Sequence, residues 1–223
     1  MVLESYRGRL QPYLRRLSRP FLTWTPGQIS GLSLGLSALA GGLAASARFL
    51  GSWGYLVFLP VALLIFGSGV FDAVDGEVAR STGRTSIRGD FLDHVFDRYA
   101  DLFVVLGITI SGFVNPIIAL LALVSLLLTS YMGTQAQAVG VGRLYRGLLS
   151  RADRLVVLAL ATFLEFDLSL PWPWAPRAPL AHFSLLGVGL TVIDLAFLYF
   201  IVAGQWTAYS RAREVYGRLP PST

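Results

Sequence analysis

Apolar residues follow one another in six long stretches that dominate the chain from residue 27 onward. Each stretch is close to the roughly 20 residues that a helix needs to cross the hydrocarbon of a bilayer. We therefore predict an all-α polytopic membrane protein. Its six transmembrane helices are expected near 27–50, 53–73, 91–113, 116–139, 154–172 and 183–208. An even number of spans places both termini on one side.

The first twenty residues show a different pattern, in which apolar residues recur every three or four positions among arginines. This spacing predicts an amphipathic helix on the membrane surface, with a solvated helix packed against loops as the alternative. The segment lacks a continuous apolar core, which argues against a cleavable signal. The apolar positions are Leu3, Tyr6, Leu10, Tyr13, Leu14 and Leu17.

Composition agrees with a membrane protein and excludes several kinds of site. The chain is 54% hydrophobic and only 14% charged, with a mean hydropathy of +0.62. It has no cysteine, which excludes disulfides, thiolate metal ligands and cysteine nucleophiles. All 18 basic residues are arginines, and they lie mainly in the N-terminal segment, the C-terminal tail and the short loops between apolar stretches. That placement suits anionic lipid headgroups and argues against nucleic acid as a partner.

The arginines are divided unequally between the two sides of the membrane. Sixteen lie on the side of the termini, whereas Arg48 and Arg177 lie on the other side. Positive residues concentrate in the cytosol, so both termini are predicted to be cytosolic in a multi-pass protein of the cell membrane. The chain then divides into a juxtamembrane amphipathic helix (1–20), a six-helix membrane domain (21–212) and a cytosolic tail (213–223). All five tryptophans fall near predicted span ends, as an interfacial belt requires: Trp24, Trp53, Trp172, Trp174 and Trp206.

The stretch FDAVDGEVARSTGRTSIRGDFLDHVFD, residues 71–97, holds six of the thirteen acidic residues. Asp72 and Asp75 are three apart at the end of the second span, and Asp93 and Asp97 are four apart at the start of the third. Each spacing places a pair on one helix face, so facing helices would bring four carboxylates together. Such a cluster requires protonation or a cation. Mg²⁺ or Mn²⁺ bound together with substrate phosphates fits best.

The residues between the two pairs favour a phosphate ester as substrate. Gly76 leaves room for a ligand near the backbone, and Arg80 places a cation about one helical turn further on. The connection STGRTSIRG offers hydroxyl groups for phosphate or ribose. Carboxylates within spans are also typical of proton relays and cation transporters, which is the alternative class of function.

The residues Asp72-x-x-Asp75-Gly76-x-x-Ala79-Arg80, then eight residues, then Gly89-x-x-x-Asp93-x-x-x-Asp97 resemble the signature of the CDP-alcohol phosphatidyltransferase family without a gap. The resemblance extends to the layout of six spans after a surface helix, and it implies an enzyme that is commonly a homodimer. Such an enzyme transfers a phosphatidyl-type group from a CDP-linked lipid, CDP-diacylglycerol or CDP-archaeol, to an alcohol and releases CMP. A noncatalytic CDP-lipid binding homologue is a further alternative.

The resemblance also implies roles for single residues. It assigns two Mg²⁺ or Mn²⁺ ions to Asp72, Asp75, Asp93 and Asp97, and it makes Asp97 the base that deprotonates the acceptor hydroxyl. Gly27 stands where the family often has Asn or Asp. The expected contacts with the CDP-lipid are Gly27, Gln28, Ile29, Ser30, Gly76, Ala79, Arg80, Ser86 and Gly89.

The loop between the fourth and fifth spans carries four arginines, which suit either a phosphorylated acceptor or lipid headgroups. The Ser130–Tyr131 pair and the Arg151-x-x-Arg154-Leu155 start of the fifth span resemble the archaeal and actinobacterial branch that accepts inositol phosphate. This branch tends to carry basic residues where the chain has Gly133, Gln135, Gln205 and Trp206. The resemblance implies inositol phosphate as the acceptor. Because those basic residues are absent, glycerol phosphate, serine and ethanolamine are kept as alternatives. The expected acceptor-binding residues are Ser130, Arg143, Arg146, Arg151 and Arg154.

Other polar residues in the spans are interpreted as structural. Asp101 is expected to pair with an arginine, because charges inside a membrane seldom stay unpaired. Asp194 is expected about eleven residues into the sixth span, near the middle of the bilayer, in a hydrogen bond to a neighbouring helix. Glu77 and Asp90 are expected to face solvent or an arginine, and His94 and His182 to be structural.

Overall fold

The computed structural model describes residues 7–142, 144, 147–170, 183–185 and 188–219. This part of the chain is almost entirely helical, as predicted. Short 3₁₀ turns at Arg19–Phe21, Ala47–Phe49 and Gly51–Val57 link the first helices. The helices are α1 (Arg7–Ser18), α2 (Pro26–Ser46), α3 (Phe58–Ser81), α4 (Ile87–Ile110), α5 (Pro116–Ala138), α6 (Arg151–Ser169) and α7 (Val192–Arg218).

Several helices begin at local capping signals. Thr25 and Gln28 form a capping box at the start of α2, with Pro26 in the first turn. Asn115 caps α5 in front of Pro116, and Ser150 and Thr191 begin capping boxes at α6 and α7. Because these side chains satisfy the free amides of the first turn, they determine where each helix begins.

Four segments of the described chain are helical, long and apolar enough to cross a membrane: Pro26–Phe49, Gly51–Ser81, Pro116–Ala138 and Val192–Arg218. They coincide with the predicted first, second, fourth and sixth spans. α4 and α6 lie at the predicted third and fifth positions, but several ionised residues lower their hydropathy. The described part of the chain is therefore almost entirely helical and has these four candidate spans.

The segment before α7 differs from its prediction. The sixth span was predicted to begin at residue 183, but strands β1 (Phe183–Leu185) and β2 (Val188–Leu190) pair there in antiparallel orientation. Asp194 therefore lies in the first turn of α7 and not deep inside it. Its carboxylate accepts hydrogen bonds from Asn115 N (2.8 Å) and Thr191 N (3.0 Å), so the predicted bond to a neighbouring element is confirmed. Trp172, Trp174, Arg177 and His182 lie outside the described residues.

Small residues allow α2 to pack closely against both helices that carry the acidic pairs. Ser33 and Ser37 hydroxyls hydrogen-bond with Ser68 of α3 at 2.9 and 2.7 Å. On the α4 side, a Cβ atom at Gly41 would overlap the Phe103 carbonyl, and one at Gly107 would overlap the Gly41 backbone. Small residues at helix contacts are the usual way in which spans approach each other in lipid. α2 thereby holds α3 and α4 in a fixed relation.

Replacing Gly41 with Leu should destabilise the protein, because the added side chain would push α2 away from α4. Overpacking of this kind typically costs about 1–3 kcal/mol, and contact with backbone places Gly41 toward the upper end. The neighbouring Gly42 is exposed with open space at its Cβ position, so Gly42→Leu is a matched control. Thermal unfolding in detergent should show a lower midpoint for Gly41→Leu only. Equal midpoints would contradict the close crossing.

Candidate active site

The two acidic pairs meet between α3 and α4. Asp72, Asp75 and Asp93 each offer a carboxylate oxygen, and these three atoms lie within 4.8 Å of one another. Asp97, one turn after Asp93, is nearly buried at 9% exposure and joins the same group through Arg151. Three of the four carboxylates that the spacing predicted to meet therefore converge in the fold, and Asp97 lies next to them across Arg151.

The start of α2 supports this cluster from one side. Ser30 donates a hydrogen bond to Asp75 Oδ2 at 2.6 Å, and its hydroxyl also lies 3.0 Å from the Pro26 carbonyl. Ile29 is fully buried against Val74 and Val78 of α3. Gly27 and Gln28 are exposed, and the Gln28 side chain closes the capping box. The segment 25–30 therefore reaches the acidic cluster, although it is distant from it in sequence.

Arg151, the first residue of α6, lies among the carboxylates. Its Nη1 atom contacts both Asp72 Oδ1 and Asp97 Oδ1 and lies 3.9 Å from Asp93 Oδ1. The other oxygen of Asp97, Oδ2, pairs with Arg98 at 3.2 Å. The sequence had suggested an acceptor role for Arg151, but it did not indicate contact with the acidic cluster.

The donor set fits a hard divalent cation. All candidate ligand atoms are carboxylate oxygens, which are the ligands that Mg²⁺ and Mn²⁺ prefer. Asp97 Oδ1 is buried and is contacted by the guanidinium of Arg151, so this carboxylate oxygen already lies beside a positive charge.

The residues after Asp75 form a second polar group at the end of α3. Glu77 is only 3% exposed and pairs with Arg80 at 3.2 Å and with Arg15 of α1 at 3.4 Å. Its expected arginine pairing is confirmed, but it does not face solvent. At Gly76, a Cβ atom would lie 3.2 Å from Arg80 Nη1, so the absence of a side chain leaves room beside this cation. The surface helix α1 is thereby tied to the helix that carries Asp72 and Asp75.

The turn between the two acidic pairs is also ordered by its own side chains. Ser86 caps α4 by accepting a hydrogen bond from Gly89 N at 3.0 Å. The Ala79 carbonyl accepts a hydrogen bond from Arg84 N at 3.0 Å. Ser86, Gly89 and Arg80 are exposed, so they are accessible to a ligand at the surface of the cluster.

A cavity of about 250 Å³ lies beside Asp93 and Asp97, between α4, α5, α6 and α7. Four arginines line it: Arg98, Arg151, Arg154 and Arg211. The Nε atoms of Arg98 and Arg154 are buried, and neither has a hydrogen-bond acceptor among the described residues. Such a concentration of cations favours an anionic ligand. Ser130, predicted to bind the acceptor, also lines the cavity, whereas Arg143 and Arg146 lie outside the described residues.

Arg211 is a member of this site that the sequence analysis missed. It is buried at 8% exposure, and its Nη1 donates to the Thr129 carbonyl at 2.7 Å. Its guanidinium lies against Gly133, where a Cβ atom would be only 3.2 Å from Nη1. Arg211 thus lies next to Gly133, which is one of the positions where the inositol phosphate branch tends to carry a basic residue and this chain does not. One signal in the sequence could have revealed Arg211. It lies two helical turns after Gly204, which packs on α5, so both residues share the face of α7 that is turned to α5.

Two further residues of the cavity have partners that define their positions. Arg154 forms an ion pair with Asp101 at 2.6 Å, and both side chains are buried, so the predicted arginine partner of Asp101 is confirmed. His94 also lines the cavity, with Nδ1 2.8 Å from the Asp90 carbonyl. The sequence analysis interpreted His94 as structural, and the structure places it in the wall of the cavity.

The chain before α6 closes one side of the cavity. Leu148 N donates to Thr207 Oγ1 at 3.1 Å, which docks this segment on α7. Gly147 has φ +145°, and a Cβ atom there would overlap the Thr207 side chain. Leu149 and Ser150 follow in the cavity wall. A glycine at 147 is therefore required both by its conformation and by the close contact.

Comparison with known proteins agrees with this geometry. A family model described as CDP-alcohol phosphatidyltransferase matches residues 43–203. The archaetidylinositol phosphate synthase of Methanothermobacter thermautotrophicus is 31% identical over 188 residues, which cover 83% of this chain and 90% of that protein. The synthase of the same name from Pyrococcus horikoshii is 30% identical over 164 residues, covering 72% and 82% of the two chains.

Solved structures show the same fold. The phosphatidylinositol phosphate synthase of Mycobacterium tuberculosis with CDP-DAG bound superposes with a TM-score of 0.68 at 22% identity, covering 95% of this chain and 97% of that chain. A structure of that enzyme in complex with manganese and citrate also gives 0.68 at 21% identity, covering 95% and 92%. Since the family model spans most of the chain and contains the acidic pairs, this protein belongs to the CDP-alcohol phosphatidyltransferase family.

Proposed function

We propose that the protein transfers a phosphatidyl or archaetidyl group from a CDP-linked lipid to inositol phosphate, with release of CMP. The observation that carries this proposal is a cavity lined by four arginines and Asp97, directly beside the converging carboxylates of Asp72, Asp75 and Asp93. The acidic cluster suits a metal-bound pyrophosphate, and the arginines suit a second, phosphorylated substrate. The names of the two archaeal relatives support the same acceptor.

The proposed reaction is a direct displacement at phosphorus. The acceptor hydroxyl oxygen forms a bond to the lipid-side phosphorus, the bond from that phosphorus to the bridging oxygen breaks, and CMP leaves. Asp97 receives the proton of the hydroxyl, since it lies between the carboxylate cluster and the cavity. Two Mg²⁺ or Mn²⁺ ions held by Asp72, Asp75, Asp93 and Asp97 would neutralise the charge of the leaving group. No covalent lipid–enzyme intermediate is required.

The CDP-lipid is proposed to bind at the ends of α2, α3 and α4. Arg80 beside Gly76 offers a cation to the pyrophosphate, and Ser30 keeps Asp75 in position. The ordered turn at Ser86 adds hydroxyl and amide groups. The full proposed set is Gly27, Gln28, Ile29, Ser30, Gly76, Ala79, Arg80, Ser86 and Gly89.

The charge of the cavity distinguishes between the acceptors. Inositol phosphate and glycerol phosphate are anions that four arginines would attract, whereas ethanolamine is a cation that they would repel and serine is a zwitterion without net charge. Ser130, Arg151, Arg154 and Arg211 are the proposed acceptor-binding residues in the described part of the chain. Arg143 and Arg146 are retained as proposals from the sequence alone.

The membrane arrangement is part of the same proposal. We expect α4 and α6 to complete six spans, because they have 24 and 19 residues and pack against the four apolar helices. Both termini and the active site are placed on the cytosolic side by the arginine distribution. A concave surface of about 570 Å³ on α1, lined by Arg15, Arg16 and Arg19, would then face anionic headgroups.

A homodimer is proposed from the family resemblance, and cross-linking in membranes tests it.

CMP release by the purified protein tests the proposed function. The assay combines CDP-diacylglycerol or CDP-archaeol with Mg²⁺ or Mn²⁺ and, separately, inositol phosphate, glycerol phosphate, serine or ethanolamine. CMP release that depends on inositol phosphate is the expected result. Release only with another acceptor would overturn the acceptor assignment, and no release with intact CDP-lipid binding would support a noncatalytic homologue.

Replacing Arg211 with Gln should raise the KM for inositol phosphate by about 10- to 100-fold, because a charged hydrogen bond to phosphate is typically worth about 1.5–3 kcal/mol. The KM for the CDP-lipid should change little, since Arg211 lies in the cavity and away from Asp72 and Asp75. Arg213→Gln is the matched control, because Arg213 is an exposed arginine of the same helix. Equal acceptor KM values for both variants would remove Arg211 from the acceptor site.

A further inference from the structure

Arg151 takes part in two neighbouring sites at once. A single nitrogen, Nη1, contacts oxygens of Asp72 on α3 and Asp97 on α4, and the same side chain lines the cavity. The other arginines of the cavity are held differently: Arg154 pairs with Asp101 at 2.6 Å, and Arg98 pairs with Asp97 Oδ2 at 3.2 Å. In the described part of the chain, Arg151 is thus the basic residue that connects both acidic pairs.

A divalent ion and the guanidinium compete for the same oxygen atoms. An ion bound to Asp72 Oδ1 and Asp97 Oδ1 would occupy the position of Nη1 and repel its positive charge. The Arg151 backbone begins α6 behind a capping box formed by Ser150 and Asp153, so a movement of the side chain alone is the simplest response. The adjoining cavity, which Arg151 already lines, is the open space available to it.

We propose that Arg151 is an exchangeable counter-cation that leaves the acidic cluster when metal binds and then completes the anion site of the cavity. This inference rests on the proposed function, since it assigns the released arginine to the phosphate of the acceptor. It makes Arg151 a positioning residue that couples the two sites. By thermodynamic linkage, metal should strengthen anion binding, and the anion should strengthen metal binding by the same factor.

Titration with Mn²⁺ tests this coupling without any turnover. Free Mn²⁺ is measured by electron paramagnetic resonance in detergent, with and without inorganic phosphate, after a blank titration of Mn²⁺ with phosphate alone. Without phosphate, Arg151→Gln should bind Mn²⁺ at least about fivefold more tightly than the wild type, the lower end of typical coupling strengths. With phosphate, the wild type should gain affinity for Mn²⁺, whereas Arg151→Gln should not.

Two further variants separate coupling from structural damage. Arg213→Gln removes an exposed arginine of α7 that is not among the residues lining the cavity, so it should leave both the Mn²⁺ affinity and the phosphate effect unchanged. Arg151→Lys retains the charge and should keep Mn²⁺ affinity close to that of the wild type. A simple loss of structure would weaken Mn²⁺ binding, which is opposite to the expected change.

Unchanged or weaker Mn²⁺ binding by folded Arg151→Gln would overturn the inference, as would a phosphate effect that persists in this variant. Failure of the coupling and failure of the proposed function give different results. Acceptor-dependent CMP release by the wild type together with unchanged Mn²⁺ affinity in Arg151→Gln would refute the coupling alone. Absence of CMP release with all acceptors would refute the proposed reaction, whatever the Mn²⁺ titration shows.

Discussion

Replacing Asp97 with Asn should reduce CMP release by about 10²- to 10⁴-fold, which is the usual contribution of a general acid or base. The amide cannot accept the proton of the acceptor hydroxyl. It also removes one negative charge from the cluster in which Asp72, Asp75 and Asp93 lie within 4.8 Å. The measurement is the rate of CMP formation at saturating CDP-lipid, inositol phosphate and Mn²⁺.

Asp90→Asn provides the matched control for this prediction. Asp90 belongs to the same helix, but its side chain is 56% exposed and lies outside the acidic cluster. CMP release by this variant should stay within a few-fold of the wild type. If Asp97→Asn retained comparable activity, another group would have to accept the proton, and the proposed mechanism would be wrong.

Replacing Asp101 with Leu should lower the free energy of unfolding by about 3–5 kcal/mol, the usual cost of removing one partner from a buried ion pair. Asp101 and Arg154 are only 7% and 5% exposed and lie 2.6 Å apart, so the change leaves a buried guanidinium without its carboxylate. Denaturant or thermal unfolding in detergent measures the loss. Because unfolding is measured without substrates, it reports the structural role of the ion pair separately from catalysis.

The double variant Asp101→Leu/Arg154→Leu should recover much of the lost stability, because neither charge then stays buried alone. Its CMP release should still be low with inositol phosphate, since the cavity loses one arginine. A double variant no more stable than Asp101→Leu would show that packing around the pair, and not the unpaired charge, dominates its contribution.

Local patterns account for most of what was predictable. The spacings of Asp72 with Asp75 and of Asp93 with Asp97 predicted that each pair shares one helix face. This follows from sequence alone, because residues three or four apart on a helix point in nearly the same direction. Proline and capping residues marked the starts of α2 and α5 for the same reason. The family signature implied that the acidic pairs bind metal ions. The match of the family model over residues 43–203 confirms the family.

The two paired strands before α7 were missed for a physical reason. An apolar run of this length does not distinguish a helix from short strands, so its identity depends on surrounding contacts. The start of α7, just after these strands, also depends on a distant residue: Glu165 is buried and accepts a hydrogen bond from Val192 N at 2.9 Å. This carboxylate satisfies an otherwise free amide in the first turn of α7.

The sequence by itself determined the helical membrane architecture, the acidic pairs and the family to which the chain belongs. Only the tertiary structure decided that Arg151 reaches the acidic cluster, that Arg211 lies against Gly133 and that Arg154 pairs with Asp101. These contacts join helices that are far apart in the chain, and each arginine is long enough to reach several acidic or anionic partners. The choice among those partners is made by helix packing, beginning with the close contact of Gly41 and Gly107, and no local pattern encodes it.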